Sequence, residues 1–274
     1  MEQIAAGVWH THAPGKTLPP YEGTECYWVG DGKNVLLVDC GDGGLQSQAV
    51  LQNDWEHLGR PTVVAVLLTH RHPDHIGGCR WAQAFWQCPL WIHPDDRKAA
   101  EAQLGQLALE PVSAGQYQVD GVSFELLHAP GHTPGQLNLW FSQQRLLLAG
   151  DNVLGNSTSV IAPPDGDLAA YMQTLQRLLA LHPAHIGCGH GALVEDGEGY
   201  LRYYLAHRRE RSAQILQLLQ EGKKRPSEIA AALYRDQLPP EQMAIGIWMV
   251  KAQLAWMTSL GEVRRIGEDH YEPA

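Results

Sequence analysis

The sequence lacks any apolar run of about eighteen residues, the length a helix needs to cross a bilayer. Residues 1–12 also lack the basic and then apolar layout of a signal peptide. Cysteine is scarce, with five residues, no CxxC pair and none of the density of a disulfide scaffold. We therefore expect a cytoplasmic protein without a membrane segment, whose thiols are reduced and mostly buried.

Positive charge is also in short supply. The chain has 20 Lys and Arg against 30 Asp and Glu, a net charge of −10. From Gly199 to the end, eleven Lys and Arg and nine Asp and Glu give +2, so residues 1–198 carry −12. Affinity for nucleic acid rests largely on Lys and Arg contacts, so this acidic body opposes passive phosphate binding. Bound metal cations would soften that objection only within a cleft.

At 274 residues the chain is long for one compact domain and short for two, which predicts a main domain and a small appendix. Residues 1–198 alternate short apolar strands with helices. Strands are expected at 35–38, 63–68, 90–93, 122–127, 137–141 and 145–149. Helices are expected at 45–58 and 95–107, and a further helix is capped by Asp167 and stops at His182-Pro183.

Strand character fades in residues 199–274. A long helix is expected from near Tyr200 to Gly222, followed by helices at 226–233 and 241–260. A basic strand-like segment at 263–266 and then Tyr271 suggest a small hairpin. Three helices and a hairpin predict a C-terminal helical, winged-helix-like domain.

Side chains that bind metals are concentrated directly after the apolar run 63–68, where His70, His72, Asp74 and His75 take four of six successive positions. Histidines two apart on an extended chain share a face, so His70 and His72 can hold one ion. Asp74 and His75 begin the next helix and can turn toward a second ion. The sequence therefore predicts a metal site here.

Three later segments each place one further ligand in a loop or at a strand end. His132 lies at the tip of a Pro- and Gly-rich loop, Asp151 follows the strand that ends near Gly150, and His190 stands between glycines. Each of these residues alone is typical of a hydrogen-bonded loop. Together with the first segment, they predict one shared metal centre.

The order THxHxDH, PGHT, GD after a strand and GHG resembles the metallo-β-lactamase superfamily over residues 1–198. The resemblance implies an α+β fold, a four-layer αββα sandwich. It also implies a ligand assignment: His70, His72 and His132 for the first metal, Asp74, His75 and His190 for the second, and Asp151 as the bridge.

This donor set suits two divalent ions, with zinc favoured and manganese or iron tolerated. Such a pair would hold a bridging water and lower its pKa toward about 7. We therefore expect a dinuclear metallo-hydrolase that uses a metal-bridging hydroxide as nucleophile. Asp74 is the candidate catalytic proton acceptor besides its ligand role. His128, four residues before His132, either supports that ligand by a hydrogen bond or packs at a strand end.

With an aspartate at position 151, the sequence resembles the thioesterase and phosphodiesterase branches of the superfamily more than the antibiotic-hydrolysing enzymes. Segment 150–160, the GHG loop and the helical tail resemble the beta-lactamase-like protein 2 family, whose animal members are reported as single-strand RNA endonucleases. This resemblance implies phosphodiester hydrolysis of single-stranded RNA. The sequence departs from that family at Glu25, because Asn commonly follows the Thr there, which leaves substrate contacts near Thr24 and Glu25 open.

Two alternatives remain. A small-molecule thioesterase of the glyoxalase II type would suit the acidic body, although its Lys, Tyr and Arg contacts to glutathione have no counterpart that we can place here. In the other, the C-terminal domain binds nucleic acid or protein through a basic cluster: Arg208, Arg209, Arg211, Lys223, Lys224, Arg225, Arg264 and Arg265. The competing interpretation is that this domain is a helical cap beside the cleft or a dimerisation surface. Its net charge of only +2 favours that interpretation over nucleic-acid binding.

Overall fold

A computed structural model describes residues 1–105 and 107–274. Two β-sheets form its centre. The first has the order β1-β2-β3-β4-β5-β6-β7: Glu2–Ala5, Val8–Pro14, Gly23–Val29, Asn34–Val38, Thr62–Leu67, Leu90–Ile92 and Glu110–Pro111. The second has the order β12-β11-β10-β9-β8, where β8 to β12 are Gly115–Val119, Val122–His128, Leu137–Phe141, Leu146–Gly150 and His185–Cys188.

Helices cover the outer faces of both sheets. Those of the first part of the chain are α1 Leu45–His57, α2 Pro73–Ile76, α3 Cys79–Trp86, α4 Pro94–Leu104 and α5 Leu168–Leu179. The C-terminal part adds α6 Gly197–Gln220, α7 Pro226–Tyr234 and α8 Met243–Ser259, then the antiparallel hairpin β13 Val263–Gly267 and β14 His270–Pro273.

The layers are held together because alternate residues of each strand point to opposite faces. In β4, Leu36 and Val38 face the second sheet, whereas Val35 and Leu37 face the helices on the outside. In β11, Leu147 lies in the core under α5 and α6, opposite its neighbours in the chain. Three buried cores thus separate four layers, helix, sheet, sheet and helix, so the predicted sandwich is confirmed.

The predicted elements agree with the observed ones to within a few residues, with two kinds of difference. The strands β1 to β3, β7, β8 and β12 and the helix α3 were not predicted, because they are short or because polar residues such as Thr24 and Glu25 interrupt their apolar pattern, although β3 is buried throughout. The helix expected at 95–107 is α4, which ends at Leu104, and residue 106 lies outside the described residues.

The long helix α6 belongs to two cores. Its N-terminal half places Leu201, Tyr204 and Leu205 in the core beside α5. Its C-terminal half places Ile215 and Leu219 in a separate core formed with α7, α8 and the hairpin. The boundary between the two cores therefore falls within one helix. The domain boundary after residue 198 stays a prediction.

The expectations about cysteine and membranes can be compared with the structure. All five cysteines are free and buried, as expected. Within residues 1–105 and 107–274, no helix has both the length and the apolar character needed to span a bilayer.

Leu254 tests the C-terminal core, because its side chain is 0% exposed among the residues of α7, α8 and the hairpin. We expect Leu254→Ala to lower the free energy of unfolding by about 2–5 kcal/mol, since it leaves a cavity. Leu260→Ala at the end of α8, where the side chain is 53% exposed, is the matched control and should change it by less than about 0.5 kcal/mol. Urea unfolding measures both, and equal effects would contradict the core assignment.

Candidate metal centre

Four chain segments bring the predicted ligands to one edge of the two sheets. His70 follows the end of β5 by three residues, His132 lies in the loop after β9, Asp151 directly follows β11, and His190 comes two residues after β12. Parallel pairing of β11 with β12 places the last two ends side by side. The structure brings all seven predicted residues together there, in two groups that share this edge.

The first group contains His70, His72, His132 and Asp151. His72 Nδ1 lies 3.0 Å from His70 Nε2 and 2.9 Å from His132 Nε2. Asp151 Oδ2 is 3.6 Å from His132 Nε2 and 3.9 Å from His70 Nε2. Three imidazole nitrogens and one carboxylate oxygen thus face a common point.

The second group contains Asp74, His75 and His190. His75 Nε2 lies 3.1 Å from His190 Nε2, which is 3.3 Å from Asp74 Oδ2. Asp151 reaches this group as well, with Oδ1 3.2 Å from His75 Nε2 and Oδ2 3.5 Å from His190 Nε2. Asp151 therefore lies between the two groups, where a bridging ligand would be.

The other nitrogen of each imidazole faces an oxygen acceptor outside the centre. These contacts are His70 Nδ1 with Thr69 Oγ1 at 3.0 Å, His72 Nε2 with Asp165 at 3.0 Å, His75 Nδ1 with Asp39 at 2.7 Å, His132 Nδ1 with the Val160 carbonyl at 2.9 Å, and His190 Nδ1 with the Gly23 carbonyl at 2.7 Å. An outward N–H on each ring leaves a lone pair pointing inward.

Inward lone pairs about 3 Å apart repel one another unless a positive charge lies between them. Asp151 Oδ1 is buried and accepts no hydrogen bond from the described residues. Imidazole nitrogens and carboxylate oxygens are ligands that zinc and related divalent ions accept. The residues present therefore fit divalent cations in both groups.

The electrostatics of the centre also favour cations. Burial together with His72 lowers the pKa of His132 to about 4. Burial and the imidazoles of His75 and His72 hold the pKa of His70 well below its usual value, so the imidazoles of His70 and His132 are neutral at pH 7. In the second group burial opposes protonation, but Asp151 outweighs it and raises the pKa of His190 to about 10, so without a cation a proton takes the inward lone pair of this ring. A buried carboxylate thus draws positive charge into this group.

Three carboxylates that support the centre were not predicted. Asp39, at the end of β4, accepts hydrogen bonds from Thr69 N and Thr69 Oγ1 as well as facing His75. Asp96 is fully buried and accepts from Arg71 N, Thr133 Oγ1 and Gly135 N, so it ties the two ligand loops together. The placement of Asp39 at a strand end was a signal that could have identified it.

Asp165 is the third carboxylate. It contacts both His72 and Arg71, whose Nη2 donates to its Oδ1 at 2.5 Å. The hydrogen bond with His72 lowers the pKa of Asp165. Burial raises this pKa, but the contact with Arg71 lowers it further, and the result is a pKa of about 2. The carboxylate is therefore charged at neutral pH and orients the His72 ring.

Gly189 and His128 are two further residues beside the predicted ligands. A Cβ at Gly189 would overlap Asp151 Oδ1, so the backbone passes close to the bridge only because this residue is glycine. His128 contacts the Pro134 carbonyl and stacks on His93, with ring centroids 4.0 Å apart. His128 thus packs at the strand end, as one of the two expectations had it, and its ring does not support His132.

A cleft of 430 Å³ opens above the centre. Its polar floor contains Asp74, Asp151, Asp165 and the imidazoles of His72, His132 and His190. Its walls are mostly apolar: Leu18, Pro19, Pro20, Tyr21, Leu154, Val160, Ala162, Pro163, Pro164, Ile245 and Trp248. Among the described residues, no Lys or Arg lines it.

Comparison with known proteins agrees with this geometry. The sequence profile of the metallo-beta-lactamase superfamily matches residues 20–190. A beta-lactamase-like protein 2 homolog of Drosophila melanogaster is 29% identical over 219 residues, 77% of this chain and 72% of that protein. An atrochrysone carboxyl ACP thioesterase of Claviceps purpurea (strain 20.1) is 33% identical over 231 residues, 82% of this chain and 69% of that protein.

A crystal structure of a metallo-beta-lactamase family protein from Thermus thermophilus is similar with a TM-score of 0.82, at 20% identity over 99% of this chain and 100% of that one. Since the profile spans more than half of the sequence, the chain belongs to the metallo-beta-lactamase superfamily. The prediction of a metallo-hydrolase is confirmed, as is the resemblance to the beta-lactamase-like protein 2 family.

The two groups lead to a prediction about metal content. We expect two divalent ions per chain after metal-supplemented expression, because the donors form two sites around one bridge. His70→Ala or His132→Ala should empty the first site, whereas Asp74→Ala should chiefly weaken the second. Elemental analysis measures this, and equal metal content in all three variants would contradict the division.

Asp165→Asn tests the support of His72. The variant keeps the shape of the side chain but removes the charge that orients the ring, so we expect metal affinity at the first site to fall roughly tenfold to a hundredfold. Competition with a chromogenic chelator measures that affinity. Asp31→Asn, at an exposed position, is the matched control, and similar affinities in the two variants would exclude a supporting role for Asp165.

Proposed function

We propose that the chain is a dinuclear metal-dependent hydrolase of thioesters or esters with an apolar acyl group. The cleft carries this proposal, because apolar walls lead to the two ligand groups without a Lys or Arg among the described lining residues. Phosphodiesters and glutathione are anions, which cationic side chains ordinarily bind. The binding of an uncharged acyl group is instead favourable, because its apolar surface leaves water and contacts such walls.

The fungal thioesterase relative, at 33% identity, supports the thioester over the RNA reaction that the sequence resemblance implies. The charged side chains of the cleft argue in the same direction. Asp74, Asp151 and Asp165 are acidic, and the body of the chain carries most of the negative charge. Single-stranded RNA would have to approach this surface against electrostatic repulsion.

Two divalent cations, when bound, would lower the pKa of a water molecule at the centre and polarise the carbonyl of the substrate. Zinc is favoured by the donor set, with manganese or iron as alternatives. Asp151 supplies the negative charge between the sites. Burial raises its pKa, but His190 and His75 outweigh burial and hold the pKa well below its usual value. Asp151 thus remains ionised under assay conditions.

Asp74 is positioned both to bind a cation of the second group and to contact a water molecule in the cleft. Its Oδ2 accepts a hydrogen bond from Thr17 Oγ1 at 2.5 Å and lies near His190, and its side chain lines the cleft. Burial raises the pKa of Asp74, but the hydrogen bond with His190 and the charge of His75 lower it below its usual range. A carboxylate with so low a pKa is a weak base, so we assign it chiefly to orienting the attacking water.

For the C-terminal region, 199–274, we propose a winged-helix-like cap over the cleft instead of a nucleic-acid-binding module. Ile245 and Trp248 line the cleft, which supports the cap. Several members of the basic cluster are already engaged. Arg208 is buried and donates to the Ser159 carbonyl, and Arg264 pairs with Glu272 at 2.5 Å.

A substrate panel tests the proposed reaction. The metal-loaded protein is assayed on octanoyl and 2-naphthoyl thioesters, single-stranded RNA, a phosphodiester and a lactam. We expect the thioesters to be hydrolysed fastest, and Asp151→Asn to lower turnover by roughly a hundredfold or more while the protein stays folded. Asp31→Asn is again the control. RNA cleavage that exceeds thioester hydrolysis and depends on Asp151 would overturn the choice of substrate.

A further inference from the structure

The helix α8, Met243–Ser259, is apolar on two sides. Residues three and four apart lie on one side of a helix. One such stripe faces the C-terminal core: Met243, Ile247, Val250, Leu254 and Met257. This stripe packs α8 against α7, the C-terminal half of α6 and the hairpin.

The second stripe consists of Ile245, Trp248, Ala252 and Trp256, and its two halves have different surroundings. Ala252 and Trp256 pack against the core beside α5. Ile245 and Trp248, one or two turns earlier, belong to neither core and line the cleft. The stripe thus continues past the edge of the core and over the metal centre.

Trp248 is 49% exposed, which is unusual for the largest apolar side chain. The walls of the cleft also include two proline pairs, Pro19-Pro20 and Pro163-Pro164. Proline rings are rigid, and an indole ring is flat, so these walls lose little conformational entropy when they close on a ligand. Such surfaces are suited to a flat apolar group.

We propose that Ile245 and Trp248 of α8 are specificity-determining residues that bind a flat apolar acyl group, such as an aromatic ring system. The proposal rests on the function proposed for the same centre and names the acyl class. The acyl group contacts this C-terminal wall while its carbonyl reaches the metal centre. An acetyl group carries too little apolar surface to gain from that wall.

The first test measures the kinetics of thioester hydrolysis by two variants, Trp248→Ala and Ile245→Ala. Leu260→Ala, at the exposed end of α8, is the matched apolar control. For a 2-naphthoyl thioester we expect Trp248→Ala to lower kcat/KM roughly tenfold, through KM, because an aromatic contact is lost. For an acetyl thioester the change should stay below about twofold. Equal losses on both thioesters, or a loss equal to that of Leu260→Ala, would overturn the proposal.

Binding without turnover gives the second test. N-phenyl-1-naphthylamine is neutral and gains fluorescence in apolar sites, so it reports on the cleft independently of hydrolysis. We expect Trp248→Ala to raise its Kd roughly tenfold, whereas Trp248→Phe and Leu260→Ala keep most of the affinity. If no thioester is hydrolysed but this pattern holds, the proposed function fails and the C-terminal wall stands. If hydrolysis occurs and the three variants bind the probe equally, the wall is wrong.

Discussion

The metal centre depends on keeping five imidazole lone pairs directed at one small volume. Without an outer acceptor, a ring whose Nε2 faces Asp151 could take the other tautomer and direct an N–H at that carboxylate. An oxygen acceptor on the outer nitrogen prevents this, and two of those acceptors, Asp39 and Asp165, are themselves held by further hydrogen bonds. The sheets and loops therefore have to position these outer acceptor oxygens as well as the ligands themselves.

The candidate ligands could be predicted from the sequence because most of them follow a strand or lie in a Gly-rich loop, and Asp74 and His75 come directly after the first pair at the start of α2. The supporting oxygens could not all be predicted. Two of them are the backbone carbonyls of Gly23 and Val160, which carry no residue-type signal. Asp165 follows two prolines in a loop far from His72 in the sequence, so only the folded chain shows their contact.

The same limit applies to the cleft. A helix over 241–260 follows from composition, yet its two apolar stripes are equivalent in the sequence. Which stripe faces the core depends on how α8 crosses α5 and α7, a tertiary property. The sandwich itself was predictable because the metal motifs resemble a family with that fold and the alternation of strands and helices agrees with it, whereas residues such as Glu25 hid the short or polar strands near the N-terminus.

The helix α6, with its 24 residues, has a consequence for how the molecule unfolds. It is a rod of about 36 Å whose two ends are buried in different cores. Tyr204, near the first end, donates to the Ser157 carbonyl and accepts from Leu154 N, beside the cleft. Melting the C-terminal core would fray the helix toward these contacts. Thermal denaturation should therefore be a single cooperative transition, and heat would disturb the proposed acyl-binding wall and the loops of the candidate metal centre together.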